Sequence, residues 1–411
     1  MEQIQTNAKE NGTEGLGFYQ SLVFRLLSSA NRGQLNMTVE GQRFQFGEQE
    51  NPSLVAEVQV LDKDIFKTLM FRGSIGIAED FIAGKWKSPD LTRVIEFFVA
   101  NQHSLDAVER KFGPILRLGY FFKKFKNRNN VKQAKKNILA HYDLGNHLYQ
   151  QFLDSNMQYS SAIYPDTLSD LEQAQTHKMD TICQRLQLQP GDTVMEIGTG
   201  WGGLAIHMAS KYGCEVTTTT ISDAQHEYAQ ARIEKLGLSD KITLLKQDYR
   251  KLTGSFDKLV SIEMIEAVGH EYLNGFFEKC SSLLKRDGLM LIQAITIADQ
   301  RYDYYRRDVD FIQTYIFPGG CLPSIERMSR SIASHTDLVI HEMHDIGLHY
   351  AKTLEHWRER FLEAWPQLSQ QGFDEQFKRL WLYYLCYCEG GFLQRAISTV
   401  HLVARKPVFL A

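Results

Sequence analysis

The sequence predicts an α/β fold, a parallel-type sheet with helices between its strands, preceded by a small mixed α+β domain. Three observations carry this expectation. From about residue 186 onward, short apolar runs alternate with stretches of helical period. The first of those runs enters a glycine-rich turn, VMEIGTGWGGLA. Ahead of it, residues 17–108 mix strand-like alternation with two helical stretches. At 411 residues and 43% hydrophobic, the chain is long and apolar enough for two domains with a core each.

Taken in order, LNMTVEGQRFQF and LVAEVQVL read as strands, and IGIAEDFIAGKW and LTRVIEFFVANQ as helices, giving a small domain over residues 1–108. Residues 109–137 break the pattern. Lys123, Lys124, Lys126 and other bases stand there among Phe121, Phe122 and Phe125, with Glu109 as the single acid. Such a segment either docks as a linker on a neighbouring domain or lies on an anionic membrane surface. The third region, 138–411, contains DTVMEIGTG as a buried strand, GLAIHMASKYG as a helix, EVTTTTIS as a strand and AQHEYAQARIEKLG as a helix. KITLLKQDY, FDKLVSIEMIE and GLMLIQAIT continue the strands, with YLNGFFEKCSSLLKRDG as the helix before the last. Strands joined by helices imply ligand binding at the strand carboxyl ends.

Composition excludes several classes. A net charge of −3 argues against a general nucleic-acid binder. The six cysteines lack CxxC pairing, so neither a zinc site nor a redox pair is expected. The opening MEQIQTNAKENGTEG has no signal-peptide pattern, and no run is long enough to cross a bilayer. The expected location is cytoplasmic, peripheral on the inner membrane face.

Gly198, Gly200 and Gly203 satisfy GxGxxG, which raises a dinucleotide oxidoreductase and also a bare strand-to-helix turn. The residues around the turn favour S-adenosylmethionine. Glu196, two residues before the first glycine, suits the amino-acid portion of a cationic sulfonium ligand and would repel a pyrophosphate. The second strand ends in Thr220 rather than an acid, and Asp248 near the third strand can accept from an adenine amino group.

At these residues the chain resembles the cyclopropane fatty acid synthases and the related mycolic acid methyltransferases. HYDLGNHLYQQFLDSNMQYSSAIY, VMEIGTGWGGLA, VSIEMIEAVGHEYLNGFF, YIFPGGCLPS and LHYAKTLEHW carry the resemblance in the same order, from about residue 138 to 405. It implies a Rossmann-like class I methyltransferase domain. It also implies S-adenosylmethionine contacts at Tyr159, Ser160, Gly198, Gly200, Trp201, Thr220, Ile221, Gln225, Asp248 and Tyr249. Unsaturated phospholipid acyl chains are the implied substrate; the basic segment adds an anionic membrane surface as an expected partner, and a homodimer, with a separate reductase if the product is methylene-branched, completes the candidate partners.

The chemistry sets further demands. A cis alkene attacked by a sulfonium methyl leaves a carbocation, which the site must shield from water and deprotonate so that a three-membered ring closes. Tyr315 and Phe317 are candidate aromatic faces for that cation. The resemblance implies that the base is bound bicarbonate, gripped by the Ser161 backbone N–H, Glu266, a main-chain group of Ile295, and Tyr350. Many relatives carry cysteine where this chain has Ser161 and histidine where it has Gln293; glutamine keeps an N–H donor but takes up no proton. Glu266 also reads as an acid opening a helix, a place Glu263 fills equally well. The alternatives are methyl or methylene branching, a small-molecule amine methyltransferase on the same fold, and a non-catalytic lipid-binding protein.

Overall fold

The computed structural model describes residues 17–104 and 145–408. The whole basic aromatic segment 109–137, including Lys123, Lys124 and Lys126, and the opening residues lie outside the described residues. What is described forms two compact units: 17–104 with 365–396, and 145–364 with 397–408.

The first unit holds four strands, β1 (Gln34–Val39), β2 (Gln42–Gly47), β3 (Val55–Val60) and β4 (Trp86–Lys87), in the order β2-β1-β3-β4. β1 and β2 form a hairpin whose two turn residues, Glu40 and Gly41, both have positive φ, the turn type that matches strand twist. Along β1 and β3 every second side chain is buried, Leu35, Met37 and Val39 on one and Ala56, Val58 and Val60 on the other. Among the described residues the helices Phe18–Leu27, Asp64–Ile82, Leu91–Ala100 and Glu375–Leu393 complete the unit. The last of these departs from the division read in the sequence, which placed 365–396 with the methyltransferase region. Its reason is close helix packing: Thr92 donates to Glu389 at 3.1 Å, and a Cβ on Gly390 would lie 2.8 Å from Ile95 Cγ2.

The second unit is built on a seven-stranded sheet. Its strands are β5 (Thr193–Ile197), β6 (Glu215–Thr220), β7 (Ile242–Lys246), β8 (Phe256–Ile262), β9 (Leu284–Ile297), β10 (Val339–Asp345) and β11 (Ile397–Arg405). They lie in the order β10-β11-β9-β8-β5-β6-β7. β5 to β9 are mutually parallel as expected, and β11 runs antiparallel between β9 and β10. Strand order reverses beside β5, between β6 and β8, which opens a crevice at the carboxyl ends of these strands.

Side-chain alternation gives the sheet two cores. Met195, Ile197, Leu259, Met290 and Ile292 face the helices Leu273–Leu283 and Ile325–His335. Val194, Val260, Leu291 and Val403 face the helices Leu171–Arg185 and Gly203–Lys211. The same alternation puts Glu196, Gln293 and His401 on the second face. The helix Leu171–Arg185, which brings Lys178 and Arg185 over that face, starts at a capping box: Asp170 accepts from the Gln173 N–H at 2.8 Å and Gln173 accepts back at 3.2 Å.

Candidate functional site

At the crevice lies a cavity of about 170 Å³. Every cofactor residue expected from the sequence lines it: Tyr159 and Ser160 from the loop ahead of the long helix, Glu196, Gly198, Gly200 and Trp201 from β5 and its turn, Thr220, Ile221 and Gln225 beyond β6, and Asp248 and Tyr249 beyond β7. The turn explains the glycines. Gly200 has φ 52, and a Cβ there would meet no atom within 4 Å because it would project into open space at the cavity wall. Gly203 is needed for close approach, since a Cβ would run into the Asn156 carbonyl and the Gln158 amide. A cradle of backbone with room left above it, and a carboxylate in its wall, fits S-adenosylmethionine.

Charge inside the cavity wall is arranged in pairs. Glu196 is buried and accepts from the Thr218 hydroxyl; burial pushes its pKa up to about 7, against the pull of Thr218 and Lys178. Lys178 is fully buried and donates to Gln158 Oε1 at 2.6 Å and to Ser160 Oγ at 3.0 Å. Burial lowers it to about 8, opposed by Asp154, Glu263 and Glu196. It thus holds two residues of the cavity wall. Asp248 accepts from Arg250 on both carboxylate oxygens; burial works against its charge, yet the guanidinium keeps its pKa below the ordinary value.

Two of the expected anion-gripping groups, together with Gln293, converge on a residue of the chain. The Ser161 N–H donates to Glu263 Oε1 at 2.9 Å, Gln293 Nε2 donates to the same oxygen at 2.7 Å, and the Tyr350 hydroxyl donates to Glu263 Oε2 at 2.8 Å. Glu263 lines the cavity directly after β8, with its own N–H bound to the Gln293 carbonyl. Glu266 is placed differently from the expectation. Its Oε1 accepts from the Ile295 N–H, and its Oε2 is buried without a hydrogen-bond partner among the described residues. Burial first, then the Glu263 charge, push its pKa up to about 8. Glu263 is also raised by burial but is pulled back by its three donors and Lys178. The charge of this carboxyl pair therefore rests on Glu263, and Glu266 keeps its proton.

Behind Gln293 a hydrogen-bond chain fixes the amide. Arg185 can only donate, so the His401 Nδ1 that it meets at 2.6 Å is an acceptor. His401 Nε2 then carries the proton and donates to Gln293 Oε1 at 2.8 Å, which leaves Gln293 Nε2 facing Glu263. Burial and Arg185 keep His401 well below its usual pKa, neutral as this chain requires.

The loop that began the motif is pinned by the helix Gly347–Gln370 as well: the Ala162 N–H donates to Thr353 and the Tyr164 N–H to His349. Tyr159 meets Trp357 at 5.2 Å, and Trp357 meets Tyr350 edge-on at 6.0 Å. Of these rings Tyr159 lines the cavity, and Trp357 and Tyr350 pack behind it. Tyr315, one of the two aromatics expected at the cation, is 37% exposed, and neither it nor Phe317 lines the cavity.

Bicarbonate does not fit this arrangement. Two of the four groups expected to bind it, the Ser161 N–H and the Tyr350 hydroxyl, are bonded within the chain to Glu263, as is Gln293; the other two, Glu266 and the Ile295 N–H, are bonded to each other, and a further anion would be set beside both carboxyls. Glu263, Lys178, Arg185 and His401 are the residues that sequence reasoning missed.

The family model described as mycolic acid cyclopropane synthetase matches residues 129–402. Cyclopropane-fatty-acyl-phospholipid synthase of Escherichia coli is 38% identical over 87% of this chain and 90% of its own length. Tuberculostearic acid methyltransferase UfaA1 of Mycobacterium tuberculosis is 38% identical over 78% of this chain and 76% of its own. Among solved structures, the cyclopropane synthase MmaA2 from Mycobacterium tuberculosis matches with a TM-score of 0.62 and 28% identity, over 66% of this chain and 98% of that one. The mycolic acid cyclopropane synthase CmaA1, solved with S-adenosylhomocysteine, matches with the same TM-score at 29% identity, over the same shares of the two chains.

Proposed function

The chain belongs to the mycolic acid cyclopropane synthetase family, and from that premise we propose that it adds a one-carbon unit to the cis double bond of an unsaturated phospholipid acyl chain, forming a cyclopropane. It is a methyltransferase of the cyclopropane-fatty-acyl-phospholipid synthase type, dependent on S-adenosylmethionine. The observation that supports this reading is the cavity at the strand-order reversal, lined by the whole expected cofactor set with Glu196 at the glycine turn.

Bound S-adenosylmethionine supplies an electrophilic methyl on a sulfonium. The chain's own residues then have four tasks. Glu196 and the turn at Gly198 and Gly200 hold the amino-acid portion, Thr220, Gln225 and Asp248 the nucleoside, and Lys178 fixes Ser160 and Gln158 in the wall. Tyr159 presents an aromatic face to the cavity, held from behind by Trp357 and Tyr350, that excludes water from a cationic acyl chain. Bicarbonate has no part in this reading.

The reading extends to a membrane role for residues 109–137, whose lysines and phenylalanines suit an anionic lipid surface. Among the described residues no helix is long and apolar enough to cross a membrane. A methyl-branched product is the second reading, favoured by the equal identity to the tuberculostearic acid methyltransferase.

The test is incubation of the purified chain with vesicles of unsaturated phospholipid and methyl-labelled S-adenosylmethionine, followed by mass spectrometry and proton NMR of the lipids. The expected outcome is a labelled acyl chain heavier by one CH₂, with upfield cyclopropane protons. A methyl or methylene branch in place of the ring selects the second reading, and no labelled lipid refutes both.

A further inference from the structure

Glu263 is the one carboxylate of the site on which three donors from separate parts of the second unit converge. Ser161 comes from the loop before the helix Leu171–Arg185, Gln293 from β9 and Tyr350 from the helix Gly347–Gln370. Its backbone is an independent sign. Glu263 has φ 49, in the left-handed region that glycine enters freely and a glutamate enters at a cost. A side chain held there against backbone preference, by three hydrogen bonds, at the wall of the cofactor cavity, is placed for chemistry.

We propose that the Glu263 carboxylate is the catalytic base of the reaction, covalently built into the place where a free anion would otherwise be gripped. This rests on the methyl-transfer reading above. Once the new carbon is on the acyl chain, one of its C–H bonds breaks and the electron pair of that bond forms the remaining ring C–C bond, quenching the cation. The proton passes to Glu263, which becomes a carboxylic acid and releases it to solvent before the next turnover. The hydrogen-bond chain from Arg185 through His401 and Gln293 serves as a positioning device: it keeps the amide's donor end on Glu263 and so favours the ionised form that must accept the proton. Gln293 cannot relay a proton, and with a carboxylate beside it none needs to pass through it.

The experiment compares the full chain with Glu263→Gln and Glu263→Gly, in buffer purged of carbon dioxide and again with millimolar bicarbonate. The wild type is expected to turn over equally in both. Glu263→Gln should lose about a hundredfold or more of turnover, the scale of a removed general base, while calorimetric affinity for S-adenosylhomocysteine stays within about threefold. Glu263→Gly relieves the backbone and opens the space among the three donors, so bicarbonate should restore part of its turnover. Carbon-13 NMR of labelled bicarbonate gives a readout that needs neither cofactor nor substrate: the ion should bind Glu263→Gly and not the wild type. Wild-type turnover that falls on purging and returns with bicarbonate would overturn the proposal, as would full turnover in Glu263→Gln or bicarbonate binding to the wild type. Absence of any labelled lipid from the wild type would refute the methyl-transfer reading and with it the base, whereas turnover with bicarbonate bound to the wild type would refute the base alone.

Discussion

Two carboxyls three residues apart hold opposite protonation states because their hydrogen bonds differ. Glu263 has three donors and Glu266 one, the Ile295 N–H. Burial and the Glu263 charge raise Glu266 to about 8, so the folded chain keeps a proton that the unfolded chain releases near the ordinary carboxyl value of 4.5. Stability contributed by this group is therefore full at low pH and is lost as pH rises from roughly 4.5 to 8, by up to about 1.4 kcal/mol per unit. Glu266→Gln keeps the acceptor for Ile295 and has no proton to lose. Denaturant unfolding at pH 5, 6.5 and 8 should show the variant gaining on the wild type at each step; parallel pH profiles would contradict this. Glu196, Gly198, Gly200, Thr220 and Asp248 were legible in the sequence because they sit on the glycine turn and at strand ends, where residue type and position coincide; Tyr159, Ser160, Trp201, Ile221, Gln225 and Tyr249 came only with the family resemblance. Lys178 was legible in principle, as a base on the same helical face as Leu171, Gln175, Met179 and Ile182. Glu263 was not: nothing in VSIEMIEA distinguishes a carboxylate turned into the donors by a left-handed backbone from one that opens a helix.

Strands β5 to β9 and the helices Gly203–Lys211, Asp223–Lys235 and Leu273–Leu283 followed directly from apolar runs and periodicity. β10 and β11 did not emerge. VIHEMHD along β10 is mostly half-buried or exposed, which blunts the alternation, and β11 pairs with β9 only after a long helical interval. His401 went unread with its strand. The helix Glu375–Leu393 shows how tertiary packing decides membership that sequence position does not. Its Gly390 allows the backbone to approach Ile95 and Glu96, where a Cβ would stand 2.8 Å from Ile95 Cγ2 and 3.2 Å from the Glu96 nitrogen. Gly390→Val would force those helices apart, an overpacking change that costs about 1–3 kcal/mol. Thermal unfolding should show a lower midpoint for the variant, and an unchanged midpoint would mean that the helix pair yields without penalty.

At the scale of the whole molecule, the first unit is assembled from stretches that are far apart in sequence, 17–104 and 365–396, with the second unit's chain running between them. Trp381, Tyr384 and Phe392 of the later stretch are buried, as are Val94, Ile95 and Phe97 of the earlier one. Gln394 donates to Glu96 at 2.9 Å, and the Phe81 and Tyr383 rings meet at 5.7 Å. A protease site engineered into residues 105–144 would sever the backbone without severing this packing. The two fragments should co-elute on gel filtration in native buffer and separate in urea; separate elution in native buffer would show that the covalent link is required. The unit is in effect a clasp, so the N-terminal fragment and the remainder, expressed as two polypeptides, are expected to find each other and complement without any added dimerisation tag.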